Sequence, residues 1–218
     1  MVSLVSHVGA ASSTGNTITT AAINTTGATF IYLALSIQQA SSQTVTDSFG
    51  NTYIGYSSTN AFGLARVIVY YCANPIVGAN HTFTVTTTAN YPALAVAAFS
   101  GVHGATDRGA ALGSSSAVTT QQPGSITPVN AGDLLVTSLC TSSTVLTATV
   151  DSGFTVTDFV DHASANYGVA LAWLAGGSPA AVNPTWTVGQ ASGLAATILS
   201  FTGSSGISPN GLPIILGE

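Results

Sequence analysis

Short apolar runs rich in Val, Ile, Thr and aromatic residues return along the whole chain, separated by Gly, Asn, Ser and Pro. Runs of this length between turn residues are the mark of an all-β sandwich or barrel. In the first half they predict strands near 15–23, 28–38, 42–47, 51–57, 64–73, 81–88 and 93–101; in the second, near 115–127, 132–141, 145–150, 153–160, 167–175, 184–189 and 193–202. No helix is predicted. Ile31, Leu33, Leu35 and Ile37 alternate with Tyr32, Ala34 and Ser36, the period of two expected of a strand with one buried face. Phe83 with Val85, and Trp186 with Val188, are expected to point inward as core anchors while the interleaved Thr residues point out. Branching at Cβ restricts χ1 against a preceding helical turn, so a chain this rich in Thr and Val favours the pleated surface.

The second half of the chain repeats the first. Phe99-Ser100-Gly101 returns as Phe201-Thr202-Gly203, Thr82-Phe83-Thr84-Val85 as Thr185-Trp186-Thr187-Val188, and Asp47-Ser48 as Asp151-Ser152, at offsets of 102, 103 and 104 residues. The landmarks stay collinear, so a module of about 100 residues, the size of one sandwich, is duplicated. The expected fold is all-β: two tandem, closely packed antiparallel β-sandwich lobes of jelly-roll or Ig-like type, related by internal duplication. The expected boundaries are 1–103 for the first repeat, 104–206 for the second and 207–218 for an extended C-terminal arm. Residues 102–116 are expected to carry the connection, which is too short and too apolar for a flexible linker.

Composition narrows the function classes. Of 218 residues 46% are hydrophobic, enough for a real core, but only 4% are charged, against about 25% in ordinary domains. Lysine is absent, and Arg66 and Arg108 are the two cations. A net charge of −5 with so few cations offers nothing to a phosphate backbone, so no nucleic-acid partner is expected. No apolar stretch is long enough to span a bilayer as a helix, and the N-terminus lacks the basic and apolar regions of a cleavable signal, so no membrane partner and no Sec export are expected. Release by lysis stays open. Solubility then rests on Ser, Thr, Asn, Gln and Gly, a surface suited to close permanent packing. Cys72 and Cys140 do not correspond between the repeats; each sits in an apolar run, as a buried free thiol or as half of a bridge between the halves.

Candidate chemistry is thin. His7, His81, His103 and His162 with six aspartates could supply a pair, but Asp161 and His162 are adjacent and would face opposite sides of a strand, and His103 with Asp107 lies in the connection. No Gly-x-Ser-x-Gly elbow marks a hydrolase nucleophile. Metal-ligand spacings are missing as well, and Asp47-Ser48-Phe49-Gly50-Asn51-Thr52 and Asp151-Ser152-Gly153-Phe154 read better as turns than as Ca²⁺ loops. No catalytic residue, metal or cofactor is therefore expected. Asn24 and Asn80 head glycosylation sequons of the kind a Thr-rich chain produces by chance. Tyr53, Tyr56, Tyr91 and Tyr167, with the two Trp, raise a sugar-stacking platform as an alternative.

The strings INTTGATFI (23–31), DSFGNTYIG (47–55), YYCANPIVGANHTFTV (70–85) and LAVAAFSG (94–101) make the chain resemble a family of duplicated Thr/Ser-rich β-sandwich proteins of phages and bacteria. The resemblance covers nearly the whole chain and brings no catalytic residues. It implies a non-enzymatic virion or surface-structural role, a capsid decoration or cement protein first, with a glycan- or receptor-binding module of a tail or fibre as the alternative. The partners it implies are further copies of the chain, with a trimer as the first expectation, and a major capsid or other virion protein. The tail bears on this. Pro209 and Pro213 bracket the turn signal Asn210-Gly211, and Leu212, Ile214, Ile215 and Leu216 are too apolar to remain in water. They are the expected assembly interface.

Overall fold

The structure, a computed structural model, describes residues 1–12, 15–39, 41–62, 65–88, 91–114, 116–161, 167–176 and 179–203. Their regular elements are strands. The first lobe holds β1 (Ser3–Ala11), β2 (Thr17–Thr19), β3 (Phe30–Gln38), β4 (Gln43–Asp47), β5 (Ile54–Asn60), β6 (Ala65–Ala73), β7 (Phe83–Thr87) and β8 (Ala93–Ser100). The second holds β9 (Val102–Gly113), β10 (Val118–Gln121), β11 (Leu134–Thr141), β12 (Ala148–Val150), β13 (Thr155–Val160), β14 (Gly168–Ala175), β15 (Trp186–Ser192) and β16 (Leu194–Gly203).

Each lobe is a five-stranded sheet facing a three-stranded one. The orders are β1-β8-β3-β6-β5 with β2-β7-β4, and β9-β16-β11-β14-β13 with β10-β15-β12. The second pair repeats the first, strand for strand. Within a lobe the first strand pairs with the eighth, the second with the seventh and the third with the sixth, the nested pairing of a jelly roll. The fourth and fifth strands, which would complete the nest, stay apart, and the fifth instead extends the larger sheet. A one-residue bulge interrupts it in both lobes, between Gly55 and Ser58 and between Val156 and Asp158. Bulges of this kind bend an edge away from further pairing.

The two five-stranded sheets pack face to face, so the described residues form four layers with three main cores and a smaller side cluster. Ile31, Leu33, Leu35, Phe83 and Val85 fill the first lobe, and Leu135, Leu139, Trp186, Val188 and Ile198 the second. Between the lobes lie Phe30, Tyr32, Phe99, Leu134, Val136, Leu171, Leu199 and Phe201. Phe201 is gripped by Phe30 and Tyr71, with ring centroids at 4.6 and 5.3 Å. The expectation that Ile31 to Ile37 form a strand with one buried face is therefore corrected: Tyr32, Ala34 and Ser36 are as buried as their neighbours, because their face meets the other lobe.

The stacking is two-fold. β1 lies on β13 and β5 on β9, β8 on β14 and β6 on β16, and β3 faces β11 at the centre. Numbered within each lobe, first meets fifth, eighth meets sixth and third meets third, an exchange that is its own inverse. Such an interface is isologous, the kind a symmetric homodimer makes.

The chain changes lobes through a single residue. Ser100 still pairs with Ser3 and Val102 already pairs with Gly203; Gly101 between them takes φ of 72°, where glycine carries no Cβ penalty. The Thr29 hydroxyl donates to the Val102 carbonyl at 2.8 Å and accepts from its N–H at 3.1 Å. Residues 102–116, expected as a connection, are thus mostly strand, and the expected break at 103/104 falls inside β9.

β1 and β9, the matching first strands, are the two that the apolar pattern misses. Both are edge strands pressed against the opposite lobe, and glycine stands at the points of closest approach. A Cβ on Gly9 would lie 2.6 Å from Val160, one on Gly109 2.7 Å from the Tyr56 ring, and one on Gly113 1.8 Å from the Asn60 carbonyl oxygen. Cys72 and Cys140 are buried free thiols. Residues 204–218, and with them Leu212, Ile214, Ile215 and Leu216, lie outside the described residues.

Phe83 and Trp186 occupy the corresponding strands β7 and β15, both fully buried. Phe83→Ala and Trp186→Ala are each expected to cost roughly 3–5 kcal/mol in chemical or thermal denaturation, since the sheets cannot collapse around so large a cavity. Gly113→Ala, which drives a methyl into the facing backbone, is expected to cost about 1–3 kcal/mol by the same measurement.

Candidate functional site

Among the described residues, three of the places where polar side chains gather bear on function. The first lies at the end of the three-stranded sheet in lobe one. The register sets Asp47 on β4 opposite Phe83 on β7 and so turns its carboxylate inward, where the side chain is fully buried. One oxygen accepts the backbone N–H groups of Phe49 and Asn51 at 2.9 and 3.1 Å. The other accepts the Asn51 side-chain amide at 2.8 Å and the Tyr53 hydroxyl at 2.5 Å. It also lies 3.0 Å from Nε2 of the fully buried His81, off the axis of a well-aligned N–H bond. His81 Nδ1 is 2.9 Å from the Thr25 hydroxyl.

Burial alone pushes the Asp47 carboxyl up, but the bonds from Tyr53 and Asn51, with His81 close by, outweigh it and hold it at about 2. Burial first, and then the same carboxylate, push the Tyr53 phenol well above its ordinary value.

An Asp, a His and a hydroxyl in a row invite comparison with a nucleophilic triad. The surroundings give them another task. His81 is stacked on Phe83 at 4.3 Å and edged by Phe49 at 4.5 Å. The Thr25 hydroxyl is held by both backbone groups of Gly78, at 3.1 and 3.2 Å. No face of the His81 ring or of Thr25 reaches solvent, so the cluster works as an internal brace tying β4, β7 and the 23–28 segment together.

The second place is the seam between lobes. His7 on β1 sits 3.2 Å from both carboxylate oxygens of Asp158 on β13, bridging the two edges. The third is an open groove of about 530 Å³ on the second lobe, lined by Leu112, Thr120, Gln121, Gln122 and Thr185. Gln122 Nε2 donates to Thr185 Oγ1 at 3.1 Å, and Gln121 Nε2 to the Gln122 carbonyl at 2.8 Å. The lining is uncharged and offers amides and hydroxyls.

The remaining candidates disperse. His103 is exposed on β9, and His162 lies outside the described residues. Among those residues no group of three His, Cys, Asp or Glu gathers. The six aromatics do not form one platform. Trp186 is core, its indole N–H donating to Thr137 at 2.9 Å; Trp173 packs on Phe99 across the lobes; Tyr53 serves Asp47; Tyr56 covers Gly109; Tyr91 and Tyr167 share a small side cluster. Burial pushes the Cys140 thiol up to about 12, and raises Cys72 as well.

The turn reading of both Asp loops holds, with Gly50 and Gly153 at φ of 75° and 81°. Their equivalence is off by one residue. Asp47 stands opposite Phe83, whereas Val150 stands opposite Trp186. A shift of one reverses the face, so Asp151 is exposed and accepts the Thr185 N–H at 2.7 Å. The partnerships Asp47–His81 and His7–Asp158 join residues far apart in sequence, and strand register was the only signal that could have found them.

The chain matches no family model, no curated protein and no solved structure.

Folded Asp47 titrates below its ordinary value of 3.8, so its stabilising contribution is full above that value and is lost as pH falls toward 2. The melting temperature is expected to drop through this acid window. Asp47→Asn should flatten the drop and, at neutral pH, cost about 1–3 kcal/mol by weakening bonds to buried groups; melting curves of both proteins from pH 7 to 2 check it.

Proposed function

We propose that this chain is a non-enzymatic structural protein of a phage virion, a capsid decoration or cement protein. One observation carries the non-enzymatic part. Ligand and active sites favour the clefts between lobes, and here that space is a solid core of Phe30, Tyr32, Phe99, Trp173 and Phe201. The sealed Asp47–His81–Thr25 cluster and the His7–Asp158 bridge both serve the fold. A surface with so few charges suits lasting contact with neighbouring subunits, and the family resemblance supplies the virion setting.

The groove beside Gln121 and Gln122 favours a second reading, a glycan- or receptor-binding module of a tail or fibre. Uncharged amides and hydroxyls suit sugar hydroxyls, and a glycan array with wild type and Gln122→Ala separates the two readings: glycan binding abolished by the substitution supports the second.

In the structural reading Leu212, Ile214, Ile215 and Leu216 hold the chain to its neighbours as a homo-oligomer, a trimer first, or to a capsid protein. Deleting residues 207–218 is expected to leave the melting temperature nearly unchanged while abolishing self-association in analytical ultracentrifugation and co-sedimentation with virus particles. Unfolding of the truncated protein would place the tail in its own core and overturn the assembly role.

A further inference from the structure

The outer face of the three-stranded sheet in lobe one is a lattice of threonine. β2 presents Thr17 and Thr19, β7 presents Thr84 and Thr86, and β4 presents Thr44 and Thr46, while Ile18, Val85 and Val45 between them point into the core. The register lines them up in two rows across the sheet, Thr17–Thr86–Thr44 and Thr19–Thr84–Thr46. At both ends the pattern continues in hydroxyl residues: the Ser48 hydroxyl accepts the Thr82 N–H at 3.1 Å, and the Thr88 hydroxyl accepts the Ser42 N–H at 3.0 Å. No charged or bulky residue stands in either row.

Sheet geometry fixes the spacing, about 4.8 Å between strands and about 6.7 Å between alternate residues along one. The side chains are fixed as well. Thr is stiff at χ1, and the hydroxyls of Thr17 and Thr86 meet at 3.2 Å and those of Thr19 and Thr84 at 2.8 Å. The inward Ile18, Val45 and Val85 forbid a register slip, which would turn every threonine inside. The buried Asp47–His81 brace ties β4 to β7 at one end of the rows.

We propose that this face binds ice, as an array of hydroxyls and methyls that orders a layer of water commensurate with the crystal. The chemistry selects that ligand over others. Sugars call for a ring platform or side-chain amides, and neither stands in these rows. Nucleic acid requires cations. A protein partner gains most from buried aromatic and Arg anchors, and short hydroxyl side chains supply none. A periodic, neutral, rigid surface matches a periodic, neutral solid, and the strand spacing lies close to the oxygen repeat of ice.

The duplicated lobe is an internal control. It keeps one row, Thr120–Thr187–Thr149, and loses the rest. Gly189 stands where the first lobe has Thr86, next to Thr147. On the other side Gln122 and Asp151 flank Thr185. Strand propensity alone acts on both lobes equally, so it does not account for a lattice complete in one and broken in the other. This inference does not depend on the virion reading.

The experiment is thermal hysteresis and ice-crystal shaping by the purified full-length protein in a nanolitre osmometer. Wild type is expected to show a hysteresis gap and faceted crystals. Thr86→Tyr, in the middle of a row, and Thr44→Tyr, on the edge strand, should each lose most of the gap with the melting temperature of the protein nearly unchanged, and Thr187→Tyr on the second lobe should retain it. Thr44→Tyr carries the test if Thr86→Tyr does not fold. Absence of hysteresis in wild type, its survival in the first-lobe variants, or equal loss in Thr187→Tyr would each overturn the proposal.

Discussion

Everything in this molecule hangs on two sheets that are apolar on both faces. β3, β8, β11 and β16 are buried almost end to end, and a strand of that kind cannot sit at the surface of a lone sandwich. A single lobe would cover one face with its three-stranded sheet and leave Phe30, Tyr32 and Phe99, or Leu134, Leu199 and Phe201, in water. Burying a large apolar side chain is worth about 1.5–3 kcal/mol, so the penalty for separating the lobes would exceed the net stability of an ordinary domain. The lobes are consequently one folding unit. Tyr32 shows how completely water is excluded: burial raises its phenol far above the ordinary range, and its hydroxyl finds Ser138 of the other lobe at 3.1 Å.

With the middle committed to packing, the lobes have diverged where packing is less demanding. Beneath β7 the first lobe buries an ionisable pair, Asp47 and His81, whereas beneath β15 the second buries the Trp186 indole on Thr137, which in turn donates to the Thr197 carbonyl at 2.8 Å. Asp47 and the Trp186 indole N–H are both partnered, as burial requires, while His81 Nε2 stays misaligned. With a carboxylate in one case and a neutral indole in the other, the site beneath β7 responds to acid and the one beneath β15 does not. The same freedom operates on the outer faces, uniform threonine on one side and a groove with Gln121 and Gln122 on the other.

The architecture was largely legible in the sequence because duplication wrote it twice. Phe83 and Trp186, and Phe99 and Phe201, announced matching strands through collinear spacing. What stayed hidden followed from physics that pattern reading does not see. β1 and β9 lacked an apolar signature because they are edge strands: Ser3, Ser6 and His7 interrupt the partly buried β1, and in β9 the facing edge calls for Gly109 and Gly113. Tyr32, Ala34 and Ser36 read as an outward face because alternation reports the chemistry of a side chain, and small or amphipathic residues serve a tight interface as well as they serve water. Asp47 and Asp151 looked equivalent from their neighbours, yet a slip of one residue sent them to opposite faces. Of the candidate sites, the Asp turns were readable and the partnerships of His7 and His81 were not, since both depend on register between distant strands.

Gly101 carries one more consequence. The two-fold mate of the Gly101–Val102 junction is the place where Gly203 meets Val2, and there a Cβ on Gly203 would lie 3.0 Å from the Val2 side chain. Val2 and Val102 enter the same inter-lobe core; Asp133 holds the Gly203 N–H at 3.2 Å on one side as Thr29 holds Val102 on the other. The described chain is therefore a nearly closed loop. Its order of lobes is a matter of where the loop is cut: a circular permutant opened after Gly101, with Gly203 joined to Val2, would place every strand where it stands now.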